Sequence, residues 1–244
     1  MFARVVRVLL AIVMISSAAV VGTVATAGTA HADGCYTWNR TLKEGMEGSD
    51  VRQLQIRVSG YPGYGNVLAL DGKFGPATEA AVTRFQRAYG LAADGVAGPN
   101  TFNRIYALQD NDCTPIHFTY SEMNKCNSSW SGGAVSASTA RANALVSMWK
   151  LEAMRHALND RPLQVSSGFR SRACNDAAGG ASNSRHMYGD GVDLVGSHSF
   201  CTLARQARNH GFASILGPGY SGHNDHVHLS TRSSRYWSAP SCGI

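Results

Sequence analysis

Two stretches concentrate the side chains that can do chemistry. The run Ser184-Arg185-His186-Met187-Tyr188-Gly189-Asp190-Gly191-Val192-Asp193 offers an imidazole and, seven residues on, a carboxylate. The run His223-Asn224-Asp225-His226-Val227-His228 offers three more imidazoles and a second carboxylate. Two of these imidazoles and a carboxylate could close on one Zn²⁺. Three protein ligands with one position left open is the arrangement of a catalytic ion, not a structural one. Asp225 stands three residues before His228. As a carboxylate outside the ligand set, it is expected to act as general base toward a metal-activated water. Ser184 has neither a G-x-S-x-G nor an S-x-x-K context, so a serine nucleophile is not indicated.

The elements that must position these residues can be read from periodicity. Residues from about Ala137 to Leu158 carry an apolar stripe (Leu145, Met148, Trp149, Leu151, Met154, Leu158) with a period near 3.6, which predicts a long helix. Leu163 to Ser166 alternates as a strand does. Val192–Val195, Ser214–Leu216 and His226–Leu229 are short apolar runs that read as further strands. Thr202 to His210 reads as a helix stopped by Gly211. Helices and strands interleave without clear βαβ units, so the fold class is α+β with an antiparallel sheet. In a strand, positions i and i+2 share a face. His226 and His228 can therefore face one cleft together, whereas Asp225 can join them only if the backbone bends or the strand begins at about His226.

Composition sets the compartment and narrows the partners. The chain has 244 residues and a formal charge of +6. Arg4 and Arg7, an apolar run from Val8 to about Val24, and Ala30-His31-Ala32 read as an export signal over 1–32 with cleavage before Asp33; an uncleaved membrane anchor is the alternative. The remaining charge is mildly positive, and no basic run interleaves with aromatics. Nucleic acid is therefore not an expected partner. No second apolar stretch is long enough to span a bilayer, so no stable membrane insertion is expected after cleavage. The six cysteines Cys35, Cys113, Cys126, Cys174, Cys201 and Cys242 form no C-x-x-C pair. An even count in an exported chain argues for three disulfides with fifteen possible connectivities. Sequential pairing (35–113, 126–174, 201–242) is expected because it staples each region internally.

An internal repeat marks an N-terminal unit. Asp71-Gly72-Lys73-Phe74-Gly75-Pro76-Ala77-Thr78 recurs as Asp94-Gly95-Val96-Ala97-Gly98-Pro99-Asn100-Thr101. Each copy reads as an Asp-Gly turn followed by Gly-Pro at a helix entry. With a third helix opening near Ser49, this gives three short helices. The stretch from about Thr41 to Leu108 resembles the peptidoglycan-binding domain. That resemblance implies a groove that binds wall polymer and holds the enzyme at its substrate, which raises effective substrate concentration. Tyr61, Tyr64 and Phe74 are aromatic candidates for contact, each equally open to a reading as core. A helical bundle that serves only as a spacer is the alternative. The expected organisation is 33–108 as this module, 109–115 as a polar linker and 116–244 as the chemical domain.

The two motifs of the second domain resemble those of the zinc D-Ala-D-Ala carboxypeptidases, relatives of the D-Ala-D-Ala dipeptidases of vancomycin resistance. The family pattern S-x-H-x-x-G-x-A-x-D is met by Ser184, His186, Gly189 and Asp193. Its later carboxylate and His are met by Asp225 and His228. Ser167-Gly168-Phe169-Arg170-Ser171 resembles the family's Gly-aromatic-Arg-Ser loop. Gly191 departs from the usual Ala, which puts local backbone stiffness in question. The resemblance implies that His186, Asp193 and His228 bind Zn²⁺. It implies that Asp225 shuttles the proton, that Arg170 stabilises charge on the scissile carbonyl, and that His223 assists there or holds substrate. His226 can hydrogen-bond the water or a neighbouring carboxylate. The expected activity is that of a secreted, wall-associated, monomeric carboxypeptidase removing terminal D-Ala from peptidoglycan stem peptides. The alternatives are a zinc endopeptidase that cuts cross-links and a non-catalytic wall-binding protein.

Overall fold

The computed structural model describes residues 35–126, 129–231 and 234–244. The expected export signal over 1–32 lies outside the described residues. Among them, no helix is long and apolar enough to cross a membrane.

Three short helices open the fold: α1 (Ser49–Arg57), α2 (Pro76–Ala88) and α3 (Pro99–Ala107). Both copies of the repeat do the same work. Gly75 and Gly98 are extended at the N-caps, and Pro76 and Pro99 occupy the first helical positions, where a missing N–H costs nothing. A buried glutamine locks each copy. Gln55 Nε2 donates to Asp71 Oδ1, the Lys73 carbonyl and Thr78 Oγ1 at 3.0–3.1 Å, and its Oε1 accepts from Gly72 N. Gln86 repeats this set on Asp94, Val96, Thr101 and Gly95. The apolar core of these helices gathers Val51, Leu54, Phe85, Phe102 and Ile105, with Trp38 stacked on Phe102 at 4.9 Å.

The long helix α4 (Ala137–Ala157) starts at Ser136, whose hydroxyl accepts from Thr139 N. It is buried on two sides. Trp149 and Ala153 join the core of the three helices, while Met148, Leu151 and Met154 join the core beneath the sheet. The sheet has five strands, β1 (Gln164–Ser167), β2 (Gly191–Val195), β3 (Ser214–Leu216), β4 (Val227–Ser230) and β5 (Tyr236–Ser238), ordered β1-β2-β4-β3-β5. A helix α5 (Arg172–Ala177) follows β1, and α6 (Phe200–Ala207) lies between β2 and β3. The α+β expectation holds. The sheet is not purely antiparallel, however, because edge strand β5 runs parallel to β3. Three residues are too few to display alternation, so β5 left no sequence signal.

The disulfides pair Cys35–Cys113, Cys126–Cys174 and Cys201–Cys242, the sequential pattern. The segment 109–115, expected as a linker, is a tight turn closed by a Gln109–Pro115 bridge and an Asp110 N to Thr114 O hydrogen bond. Among the described residues, 35–244 form one compact unit, and the three helices meet the second domain at a packed seam. Across this seam Gly65 N donates to the Arg208 carbonyl and His210 Nδ1 bonds the Gly60 carbonyl at 2.8 Å, while within the second domain Lys150 Nζ donates to the Gly211 carbonyl at 2.8 Å. Helix α6 ends at Ala207 rather than His210 because 208–211 must turn to make these bonds. Of the three aromatics open to either reading, Tyr61 and Phe74 are core residues, whereas Tyr64 is 60% exposed.

Candidate metal centre and cleft

Adjacent strands bring the two motifs together. In the β2–β4 register Asp193 lies directly opposite His228, so both side chains leave the same face of the sheet. His186 comes from a short 3₁₀ turn, Arg185–Tyr188, that ends at Gly189. Gly189 has φ +80°, and a Cβ there would lie 2.2 Å from the Ala140 carbonyl oxygen, so only glycine lets this turn sit on α4. At Gly191 a Cβ would meet the His186 backbone nitrogen at 2.7 Å. The departure from the usual Ala thus allows β2 to press closely on the turn that carries His186.

The three candidate ligands converge tightly. His228 Nδ1 is 2.9 Å and His186 Nε2 3.2 Å from Asp193 Oδ1, and the two ring nitrogens are 3.1 Å apart. Ligands about 2.0–2.1 Å from a tetrahedral Zn²⁺ stand roughly 3.3 Å from one another, so the donor set and its spacing fit this ion. His186 Nδ1 donates to the Gly168 carbonyl at 2.6 Å. That bond fixes the tautomer and leaves Nε2 as a lone-pair donor aimed at the cluster. Burial alone would raise the Asp193 pKa. Hydrogen bonds and charge from His186 and His228 more than offset it and hold the carboxylate well below its usual range. Burial likewise pushes His228 down to about 4, against the opposing pull of Asp193, so this ring is neutral and ligand-competent at neutral pH.

The other expected residues divide. Arg170 donates through Nη2 to Asp193 Oδ2 and through Nε to Ser167 Oγ, both at 2.9 Å. It does not pair with Asp190, whose carboxylate is held by Arg185. His223 and His226 line the same cleft, a cavity of about 800 Å³, with ring centroids 4.7 Å apart. His226 Nε2 comes within 3.8 Å of Asp193 Oδ1. Asp225 does not line the cleft. Its side chain is 89% exposed, and its Oδ1 accepts from His226 Nδ1 at 2.8 Å. The reason is the strand constraint: β4 begins only at Val227, and the preceding loop turns His226 inward and Asp225 outward.

Sequence reasoning missed Asn175. This residue is fully buried in α5. Its Nδ2 donates to the carbonyls of Gly180 and Ala181 at 3.2 and 3.0 Å, and Gly180 N returns a bond to its backbone oxygen. It thus braces the glycine-rich loop that forms the rim of the cleft next to Ser184. The only cue in sequence is an Asn just ahead of that loop.

The Peptidase M15 family pattern matches residues 116–230, and the putative peptidoglycan binding domain matches residues 47–105. The zinc D-Ala-D-Ala carboxypeptidase of Streptomyces albus G is 68% identical over 90% of this chain and 87% of its own length. The N-acetylmuramoyl-L-alanine amidase CwlM of Mycobacterium tuberculosis is 44% identical over 26% of this chain and 15% of its own. A crystal structure of a peptidoglycan-binding protein from Clostridioides difficile is 37% identical over 27% of this chain and 39% of that one, with a TM-score of 0.24. By its near full-length likeness to the Streptomyces albus G enzyme and by the M15 match over its second half, this chain belongs to the zinc D-Ala-D-Ala carboxypeptidases of the peptidase M15 family.

Proposed function

We propose that this protein is a secreted zinc D-Ala-D-Ala carboxypeptidase that removes the terminal D-Ala of peptidoglycan stem peptides. Residues 33–108 are the wall-binding module and 116–244 the peptidase, working as a monomer. The observation that carries this reading is the convergence of His186 Nε2, Asp193 Oδ1 and His228 Nδ1 in a cleft.

In this reading His186, Asp193 and His228 hold Zn²⁺, which supplies a Lewis acid able to activate water at neutral pH. Arg170 has two of its nitrogens committed to Asp193 and Ser167, which fixes the guanidinium plane at the rim of the cluster. Its remaining N–H groups are the donors available to a scissile carbonyl as that oxygen gains charge. Asp225 reaches the chemistry through His226. Its carboxylate orients Nδ1, so Nε2 faces the cluster as a proton acceptor and later as a donor to the departing amine. His223, beside His226, holds substrate at the same wall.

The test is hydrolysis of a diacetylated tripeptide ending in D-Ala-D-Ala, measured beside cross-linked muropeptides. Release of free D-Ala from the tripeptide, abolished by chelator and restored by Zn²⁺, is the expected result. Cleavage of muropeptide dimers alone would contradict the carboxypeptidase assignment.

A further inference from the structure

Away from the cleft, a second cavity of about 390 Å³ opens at the seam between the three helices and the end of α4. Its charged groups are, with one exception, neutralised within the protein. Arg155 is tied to Glu152 and Asp160. His156 bonds Asp160 through Nδ1 and the Ala88 carbonyl through Nε2, and His117 bonds Glu152. The exception is Arg104. Its guanidinium lies over the Tyr89 ring, 4.3 Å from the centroid. Its Nε is buried without a hydrogen-bond partner. A planar fork of donors held on an aromatic face is preorganised for a carboxylate. The rest of the wall is apolar, with Leu108 buried and Ile116 47% exposed. A cavity of this size with an apolar wall suits a carboxylate carried on an organic frame better than a simple anion.

We propose that this seam cavity binds a carboxylate-bearing peptide of the wall polymer, with Arg104 as its anchor, and so serves as a docking site separate from the catalytic cleft. The proposal rests on the wall-active reading above. Because the seam is packed rather than flexible, occupation of this site fixes the orientation of the cleft toward the same polymer.

The experiment uses the mature full-length chain and product-type muropeptide monomers that already end in a single D-Ala. These are compared with the same monomers after amidation of their carboxyl groups. NMR titration should shift the Arg104 Nε–H and the Tyr89 and His156 ring signals with the free acids and leave them unmoved with the amides. Arg104→Gln should weaken binding to these monomers at the seam signals by about tenfold or more, the cost of a charge-assisted hydrogen bond. The same variant should hydrolyse the small tripeptide at the wild-type rate, since Arg104 is remote from the cleft. Arg104→Lys, which keeps the charge but loses the fork, should fall between the two and guards against a folding defect in the glutamine variant. Equal seam shifts with amidated monomers, or wild-type affinity in Arg104→Gln, would overturn the proposal. Failure of the carboxypeptidase reading would show separately, as an inability of the wild type to cleave the tripeptide.

Discussion

His210 makes the stability of the packed seam depend on acid. Its Nδ1 donates to the Gly60 carbonyl, and its buried Nε2 has no partner. Protonation would place a charged N–H where there is no acceptor, next to a residue whose carbonyl already receives Lys150 Nζ. Burial accordingly pushes the His210 pKa down from 6.5 to about 4, against a smaller upward pull from the Gly60 hydrogen bond. The unfolded chain therefore binds a proton that the folded chain refuses between these two values. Stability from this group is fully present above about pH 6.5 and is lost as pH falls toward 4. A tenfold difference in proton affinity between the folded and unfolded chains corresponds to about 1.4 kcal/mol, so the loss between about pH 7 and about pH 4.5 is roughly 2–3 kcal/mol. His210→Asn places an amide N–H near the position of Nδ1 and carries no titrating group. Denaturant unfolding of both proteins at the two pH values measures the difference, with the other carboxylates common to both. The variant should be less stable at neutral pH, by about 1–2 kcal/mol for the lost packing, yet lose about 2–3 kcal/mol less than wild type on acidification. Parallel losses in the two proteins would refute the assignment of a buried, neutral His210.

Other perturbations probe the cleft and the repeat. Arg170→Lys keeps a positive charge but cannot bridge Asp193 and Ser167, and kcat on the tripeptide should fall about 100-fold or more with little change in KM. Asp225→Asn should lower kcat by roughly 10²–10⁴ while zinc content, read by atomic absorption, stays at one per chain. A similar loss of zinc would make Asp225 part of the metal site instead. Gln86→Leu strands the Asp94, Val96, Thr101 and Gly95 groups it serves and should destabilise the protein by about 2–4 kcal/mol in denaturant titration. An equally stable variant would show that the buried bonds do not hold the repeat together.

Much of this was legible because periodicity and motif spacing report on local backbone. The stripe through Met148, Trp149 and Leu151 placed α4, and the doubled Asp-Gly, Gly-Pro pattern placed the entries to α2 and α3. The motif resemblance pointed to His186, Asp193 and His228; strand register sets Asp193 opposite His228, and a short 3₁₀ turn adds His186. What the sequence hid was non-local. Trp149 reads as core, but nothing in the chain says that its core is that of the N-terminal helices. Gln55 and Gln86 look like surface residues until the turns they bind are folded around them. The direction of Asp225 depends on where β4 begins, a matter of one residue, and that offset turned the carboxylate outward. Arg104 looks like an ordinary helix-surface cation and acquires its cavity only when α4 docks.

The most direct measurement is anomalous diffraction at the zinc edge from crystals of fully loaded protein, collected beside chelated crystals. One peak should lie about 2.0–2.2 Å from His186 Nε2, Asp193 Oδ1 and His228 Nδ1 together, and vanish along with tripeptide hydrolysis on chelation. No peak within reach of those three atoms in an active preparation, or activity that survives its removal, would contradict the metal chemistry assigned to this cleft.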